Sequence, residues 1–175
     1  MNFIPTVFLD FDGVLNGSKN YVRWDRSWHE AIGRGMSHNP PEKLADDPFI
    51  TQLFDTDMIE RVNMITRHRN AVVIISSSWR NFHPYEQLKT LLYGVGLNAP
   101  IVGTTPRGMN RWDAILSRRD STMLPTTPFL ILDDDATDYP TLCPNLVRTK
   151  THVGITDEDV ERALQIWEVQ LGPKS

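Results

Sequence analysis

Residues 6–16, TVFLDFDGVLN, decide the fold. Val7, Phe8 and Leu9 form a continuously apolar run instead of an alternating one, the pattern of a strand buried on both faces. Asp10, Phe11 and Asp12 follow at once, and Gly13 allows a turn where a Cβ would interfere. Two carboxylates therefore stand at the carboxyl end of a buried strand, where open α/β sheets place their ligands. Acids one residue apart in such a place fit a hard divalent cation together with a phosphoryl group. The plainer alternative is an acid-bearing hairpin turn, because Asp-Gly is also a common turn signal.

Two further apolar runs end in the same way. AVVII (71–75) leads into Ser76, Ser77 and Ser78, and PFLIL (128–132) into Asp133, Asp134 and Asp135, with Asp138 close behind. Three adjacent acids repel one another by roughly 1 kcal/mol per pair at ~4 Å in water and about 4 near a protein surface. A divalent cation removes that penalty, whereas Asp135 and Asp138 equally suit helix caps or solvated acids. Between the strands lie helical patterns. Asp55 or Thr56 caps one with Met58, Ile59, Val62 and Ile65 inward. Pro84 opens the next, with Tyr85, Leu88, Leu91 and Leu92 inward. A third carries Trp112, Ile115 and Leu116, and a last begins at a Thr156/Asp159 capping box with Val160, Ala163, Leu164 and Trp167. Residues 100–103 and 146–149 read as short strands, the latter at an edge. Alternating strand and helix predict an α/β, Rossmann-like three-layer sandwich with a mostly parallel central sheet.

The 175 residues suit a single domain, 1–175, with a sizeable core. Residues 14–54 break the alternation. Gly33, Gly35, Pro40 and Pro41 punctuate them, and they read as a small cap or lid insertion after the first strand. A formal charge of −4 gives no general attraction for nucleic acid. The single cysteine, Cys143, excludes an internal disulfide and suits a reducing cytosol. No apolar stretch approaches the roughly 18 residues of a membrane span, and the N-terminus lacks a signal-peptide pattern. A cytoplasmic protein without membrane association, and with no stable protein partner, is the expectation.

The segments DFDGVLN, SSSWR and LILDDD, in this order, resemble motifs one, two and four of the haloacid dehalogenase-like phosphohydrolases. The wording also looks like the narrower branch of small phosphatase modules in RNA- and DNA-end repair proteins. The resemblance implies that Asp10 attacks phosphorus to form an aspartyl-phosphate, and that Asp12 protonates the leaving oxygen and then activates water. It implies Ser76 as the hydroxyl on a phosphate oxygen, with Ser77 the alternative, since a one-residue slip changes which side chain faces the pocket. It implies Mg²⁺ held by Asp10, the backbone carbonyl of Asp12, Asp133 and Asp134. The family's third motif is a Lys, and here the chain departs from it, because no Lys occurs from Thr90 to Thr149. Arg111 is the expected substitute, since it opens a helix whose Trp112 and Ile115 face the core. Arg107, in a Pro106/Gly108 loop, is the alternative, with Arg118 and Arg119 behind them. Gly13, Ser77, Arg80 and Arg107 are the candidate substrate contacts, although Arg80 on the surface is an equal alternative.

The expected function is a Mg²⁺-dependent phosphomonoester hydrolase acting on a nucleotide or on the phosphorylated end of a nucleic acid. A small-metabolite phosphatase and a non-catalytic phospho-ligand binding module are the alternatives. A small insertion leaves room for a bulky substrate. Lys19, Arg23, Arg26 and Arg34 give it a modest basic excess, and Tyr21, Trp24 and Trp28 offer stacking faces, though Trp24 and Trp28 equally suit packing. His29 and His38 show no metal-ligand spacing.

Overall fold

Alternate side chains of each strand go to opposite faces of the sheet, and each face has built its own core. In the computed structural model, which describes residues 4–17, 44–46 and 48–173, five strands form one parallel sheet. They are β1 (Thr6–Leu9), β2 (Val72–Ile75), β3 (Ile101–Thr104), β4 (Phe129–Asp133) and β5 (Leu146–Arg148), in the order β3-β2-β1-β4-β5. Val7, Leu9, Val73, Ile75, Leu130 and Leu132 enter one core; Phe8, Ile74 and Ile131 enter the other. That two-sided burial is why these strands read as unbroken apolar runs.

Four longer helices cover the sheet: α1 (Thr56–Arg69), α2 (Tyr85–Gly94), α3 (Arg111–Thr122) and α4 (Asp157–Leu171). Ile59, Val62 and Ile65 of α1, Leu88, Leu91 and Leu92 of α2, and Val160, Ala163 and Trp167 of α4 pack on the first face. Ile115 of α3 packs on the second, with Trp112 against its margin. Asp55 caps α1 by accepting from the N–H groups of Asp57 and Met58, and Asn110 caps α3. The Thr156/Asp159 capping box of α4 is formed. Pro84 is the N-cap of α2, one position before the first helical turn assigned to it from sequence.

The backbone groups of Ile101, on the outer side of β3, are occupied. Its N–H donates to Tyr93 Oη at 3.1 Å, and its carbonyl accepts from Tyr85 Oη at 2.8 Å. At the adjacent irregularity, Arg118 Nη2 donates to the Val102 carbonyl.

Most of the 14–54 insertion lies outside the described residues, including Lys19, Tyr21, Arg23, Trp24, Arg26, Trp28, His29, Arg34 and His38. Its two ends meet: Asp55 N–H donates to the Leu15 carbonyl at 2.9 Å. On the return, a 3₁₀ turn (Leu44–Asp46) and a single helical turn (Pro48–Thr51) bury Leu44, Ile50, Leu53 and Phe54 in the first core. The segment thus leaves and rejoins the domain beside the carboxyl end of β1. Among the described residues, no helix is long and apolar enough to cross a membrane.

Candidate active site

From β1 the chain runs to β2 on one side and later to β4 on the other, so the sheet reverses direction between β1 and β4. A crevice outside the strand ends forms at such a switch point. Leu9 registers with both Ile75 and Leu132, and the following residues, Asp10, Ser76 and Asp133, are side by side. Asp10 N–H donates to the Leu132 carbonyl at 3.0 Å, and Ser76 N–H to the Leu9 carbonyl at 2.9 Å. Acids 123 positions apart in sequence are therefore neighbours because two parallel strands end in register.

Asp10 and Asp133 are both fully buried. Asp10 Oδ1 accepts from Phe11 N–H at 2.8 Å. Asp133 Oδ2 accepts from the Tyr139 hydroxyl at 2.7 Å, and Oδ1 from Asp135 N–H at 2.9 Å. Arg111 bridges the pair: its Nη1 donates to Asp10 Oδ2 at 2.5 Å and also to Asp133 Oδ1. Burial is the main cause that raises both acids above the usual carboxylate range, and Arg111 opposes it at each. Their negative charge in turn holds the Arg111 guanidinium firmly protonated, against the pull of burial. A hydrogen bond with Ser77 also lowers Asp10.

Asp12 has a different environment. Asn16 Nδ2 donates to its Oδ1 at 3.3 Å and Trp79 Nε1 to its Oδ2 at 3.0 Å. Burial first, and the Asp10 charge second, push its pKa up to about 7. Burial thus raises both acids, opposed at Asp10 by Arg111 and at Asp12 by the Trp79 and Asn16 donors.

Asp10, Asp133 and Asp134 each offer one oxygen, all within 4.8 Å of one another. Oxygens around Mg²⁺ at 2.0–2.1 Å lie about 3 Å apart when adjacent and about 4.2 Å when opposite. A span of up to 4.8 Å is slightly wider than that, and an all-oxygen donor set suits a hard cation. Gly13 stands against this cluster with φ +71°, and a Cβ there would meet Asp134 Cβ at 2.8 Å and its carboxyl more closely still. The Gly13 carbonyl accepts from buried Thr149 Oγ1 at 2.6 Å, which ties the turn to the end of β5.

The remaining predicted residues divide. Ser77 Oγ caps the 3₁₀ turn Ser78–Asn81 by accepting from Trp79 N–H at 3.4 Å, besides its bond with Asp10. Ser76 Oγ is buried with no partner among the described residues. Arg80 is not on the surface: it is 3 % exposed, and its Nη1 and Nε donate to the carbonyls of Ser76, Ser77 and Pro106. Its guanidinium braces the β2 turn from within. Arg107 lies in the loop before α3, where Nη2 donates to the His83 carbonyl at 3.1 Å; Arg111, not Arg107, reaches the carboxylates. Asp135 accepts from Thr137 N–H and Oγ1 in a local turn, and Asp138 accepts the first N–H of α3, at Arg111, from 27 residues away. Asn16, Trp79 and Tyr139 were missed. Trp79 follows the serines directly and Tyr139 lies six residues after Asp133, but no spacing rule marks which acid each would hold.

An all-oxygen acid cluster at the switch point of a parallel sheet, with a guanidinium bridging two of its members, marks this crevice as the ligand site of an α/β fold. Residues 6–160 match the family described as the HAD domain in Swiss Army Knife RNA repair proteins, and the chain belongs to that family, a branch of the haloacid dehalogenase-like superfamily. Domains of this superfamily generally use a divalent metal, which agrees with the acidic cluster. No curated protein and no solved structure matches the chain.

Proposed function

We propose that this domain hydrolyses a phosphomonoester on a nucleotide or on the phosphorylated end of a nucleic acid, with Mg²⁺ and through an aspartyl-phosphate. The observation that carries the reading is the convergence of Asp10, Asp133 and Asp134 beside an Asp12 whose pKa lies at about 7. Binding alone needs no proton donor, whereas hydrolysis needs a group that gives a proton and then takes one.

Asp10 is the nucleophile, with Oδ1 held by Phe11 N–H and Oδ2 by Arg111. Asp12 protonates the leaving oxygen, then deprotonates the water that cleaves the aspartyl-phosphate. Arg111 offsets charge on the equatorial oxygens, as an Arg fork does at other phosphate sites. Ser76, or Ser77 in the alternative, supplies a hydroxyl to the phosphate, with Gly13 beside Asp134; Arg80 holds the serine turn, and Arg107 lies in the loop before α3. Asp10, Asp133, Asp134 and the Asp12 carbonyl would hold Mg²⁺. When bound, it neutralises the acids and polarises the phosphoryl oxygens. The family's setting in RNA repair and the small insertion favour a polynucleotide end over a free metabolite, and the single-cysteine composition suits a reducing cytoplasm.

The test is turnover of an aryl phosphate, a mononucleotide, and 5′- and 3′-phosphorylated oligonucleotides, with Mg²⁺ present. Asp10→Asn and Asp12→Asn should each abolish turnover of the aryl phosphate. A wild type inert on all four substrates would leave the domain as a phospho-ligand binding module.

A further inference from the structure

Trp79 plays no part in the chemistry above, yet its indole is aimed at the proposed general acid. We infer that Trp79 is a positioning residue for Asp12: its N–H fixes Oδ2 as an accepting oxygen, so that Oδ1 carries the transferable proton. The inference rests on the proposed hydrolase reading.

The indole N–H is a donor only, so the oxygen it touches at 3.0 Å must present a lone pair. On the other side, the Asn16 amide is oriented without ambiguity. Gly13 N–H donates to Asn16 Oδ1 at 2.8 Å, which turns the NH₂ group toward Asp12 Oδ1 at 3.3 Å. The contact to Oδ1 is the longer of the two, so Oδ1 is the oxygen better able to hold a proton. Trp79 is itself immobilised. It is 4 % exposed and meets Phe11 and Phe54 edge-to-face at ring-centroid distances of 5.7 and 5.8 Å, with His83 at 5.9 Å. It also sits in the 3₁₀ turn that Ser77 caps, so the serines at the end of β2 and the holder of the acid belong to one rigid element.

In the step concerned, Asp10 forms a bond to phosphorus as the bond from phosphorus to the leaving oxygen breaks. The leaving oxygen takes the proton from Asp12 Oδ1. The charge that appears on Asp12 is met by the two N–H donors already in place. An acid free to rotate would offer the wrong oxygen in part of its population, and proton transfer depends on reach before it depends on pKa.

The experiment is Trp79→Phe, which keeps the aromatic packing and deletes the N–H. kcat/KM is measured for an aryl phosphate with an acidic phenol and for a nucleoside 5′-monophosphate. This ratio of constants reports only the steps up to the aspartyl-phosphate, and the phenolate leaves without needing a proton. Trp79→Phe should lower the nucleotide-to-aryl ratio about 10-fold, within the 10²–10⁴ that a general acid supplies in all. In Asp12→Asn, whose repeated turnover stops with the loss of the base for the second step, the ratio is read from the rate of leaving-group release in the first turnover, and it should fall further. The ratio is independent of the folded fraction, so a partly unfolded preparation still reads out. Phe54→Leu, which loosens the cluster but keeps the N–H, should leave the ratio unchanged; a fall equal to that of Trp79→Phe would assign the effect to packing and overturn the inference. An unchanged ratio in Trp79→Phe beside a lowered one in Asp12→Asn overturns Trp79 alone. An unchanged ratio in both removes Asp12 as the acid, and the hydrolase mechanism with it.

Discussion

Arg111→Met removes the cation that bridges Asp10 and Asp133 while keeping a good helix former at the first position of α3. Both carboxylates are fully buried, and the Arg111 side chain is only 18 % exposed. Deleting one partner of a buried ion pair costs about 3–5 kcal/mol, and the partial exposure of Arg111 favours the lower end, about 3 kcal/mol. For a chain of this size each kcal/mol moves Tm by about 2–4 °C, so metal-free Arg111→Met should melt about 6–12 °C below the wild type at pH 7.5. Two treatments should narrow that gap. Mg²⁺ replaces the lost positive charge. A shift to pH 5.5 lets one of the facing acids take a proton, which both hold above their ordinary pKa. Scanning calorimetry in chelator at the two pH values, then with Mg²⁺ added, measures all of this. Equal melting of wild type and variant in chelator at pH 7.5, or a deficit insensitive to both treatments, would refute the electrostatic account of the site.

Gly13→Ala should abolish aryl-phosphate turnover and weaken Mg²⁺ binding measured by titration calorimetry, because the new Cβ drives Asp134 out of the acid cluster; the left-handed φ alone costs about 1–2 kcal/mol in Tm measurements. The metal-free wild type should lose stability between pH 5 and 8. The folded pKa of Asp12, at about 7, lies above its ordinary 3.8, so the folded state binds the proton more tightly. The resulting stabilisation, up to about 4 kcal/mol, is complete below the unfolded value and lost as pH rises through about 7. A Tm in chelator that rises over this range would contradict it.

The strands were legible because burial on both faces leaves an unbroken apolar run, and β1, β2 and β4 each carried one. The acids were legible for the same reason: Asp10 and Asp133 end such runs, and no packing argument places charge there. What escaped depended on which side chain meets which across the fold. No pattern in the sequence singles out Trp79 or Tyr139, and only the register of three strands brings an indole N–H and a phenol O–H onto Asp12 and Asp133. Arg80 was ambiguous because a guanidinium facing three backbone carbonyls has no sequence pattern. That Arg111 stands nearer the acids than Arg107 was legible from helix phase, since the first turn of α3 rises beside the ends of β1 and β4.

The two tyrosine hydroxyls on Ile101 have a consequence for association between molecules. A strand at the border of a sheet normally offers a bare amide and carbonyl to any passing chain, and stacking of sheets end to end begins there. At Ile101 both sites are already taken, and Arg118 takes the next carbonyl. A second copy cannot stitch its own strand onto this flank without first displacing side chains rooted in α2 and α3, so concentrated protein is protected from lateral polymerisation along β3.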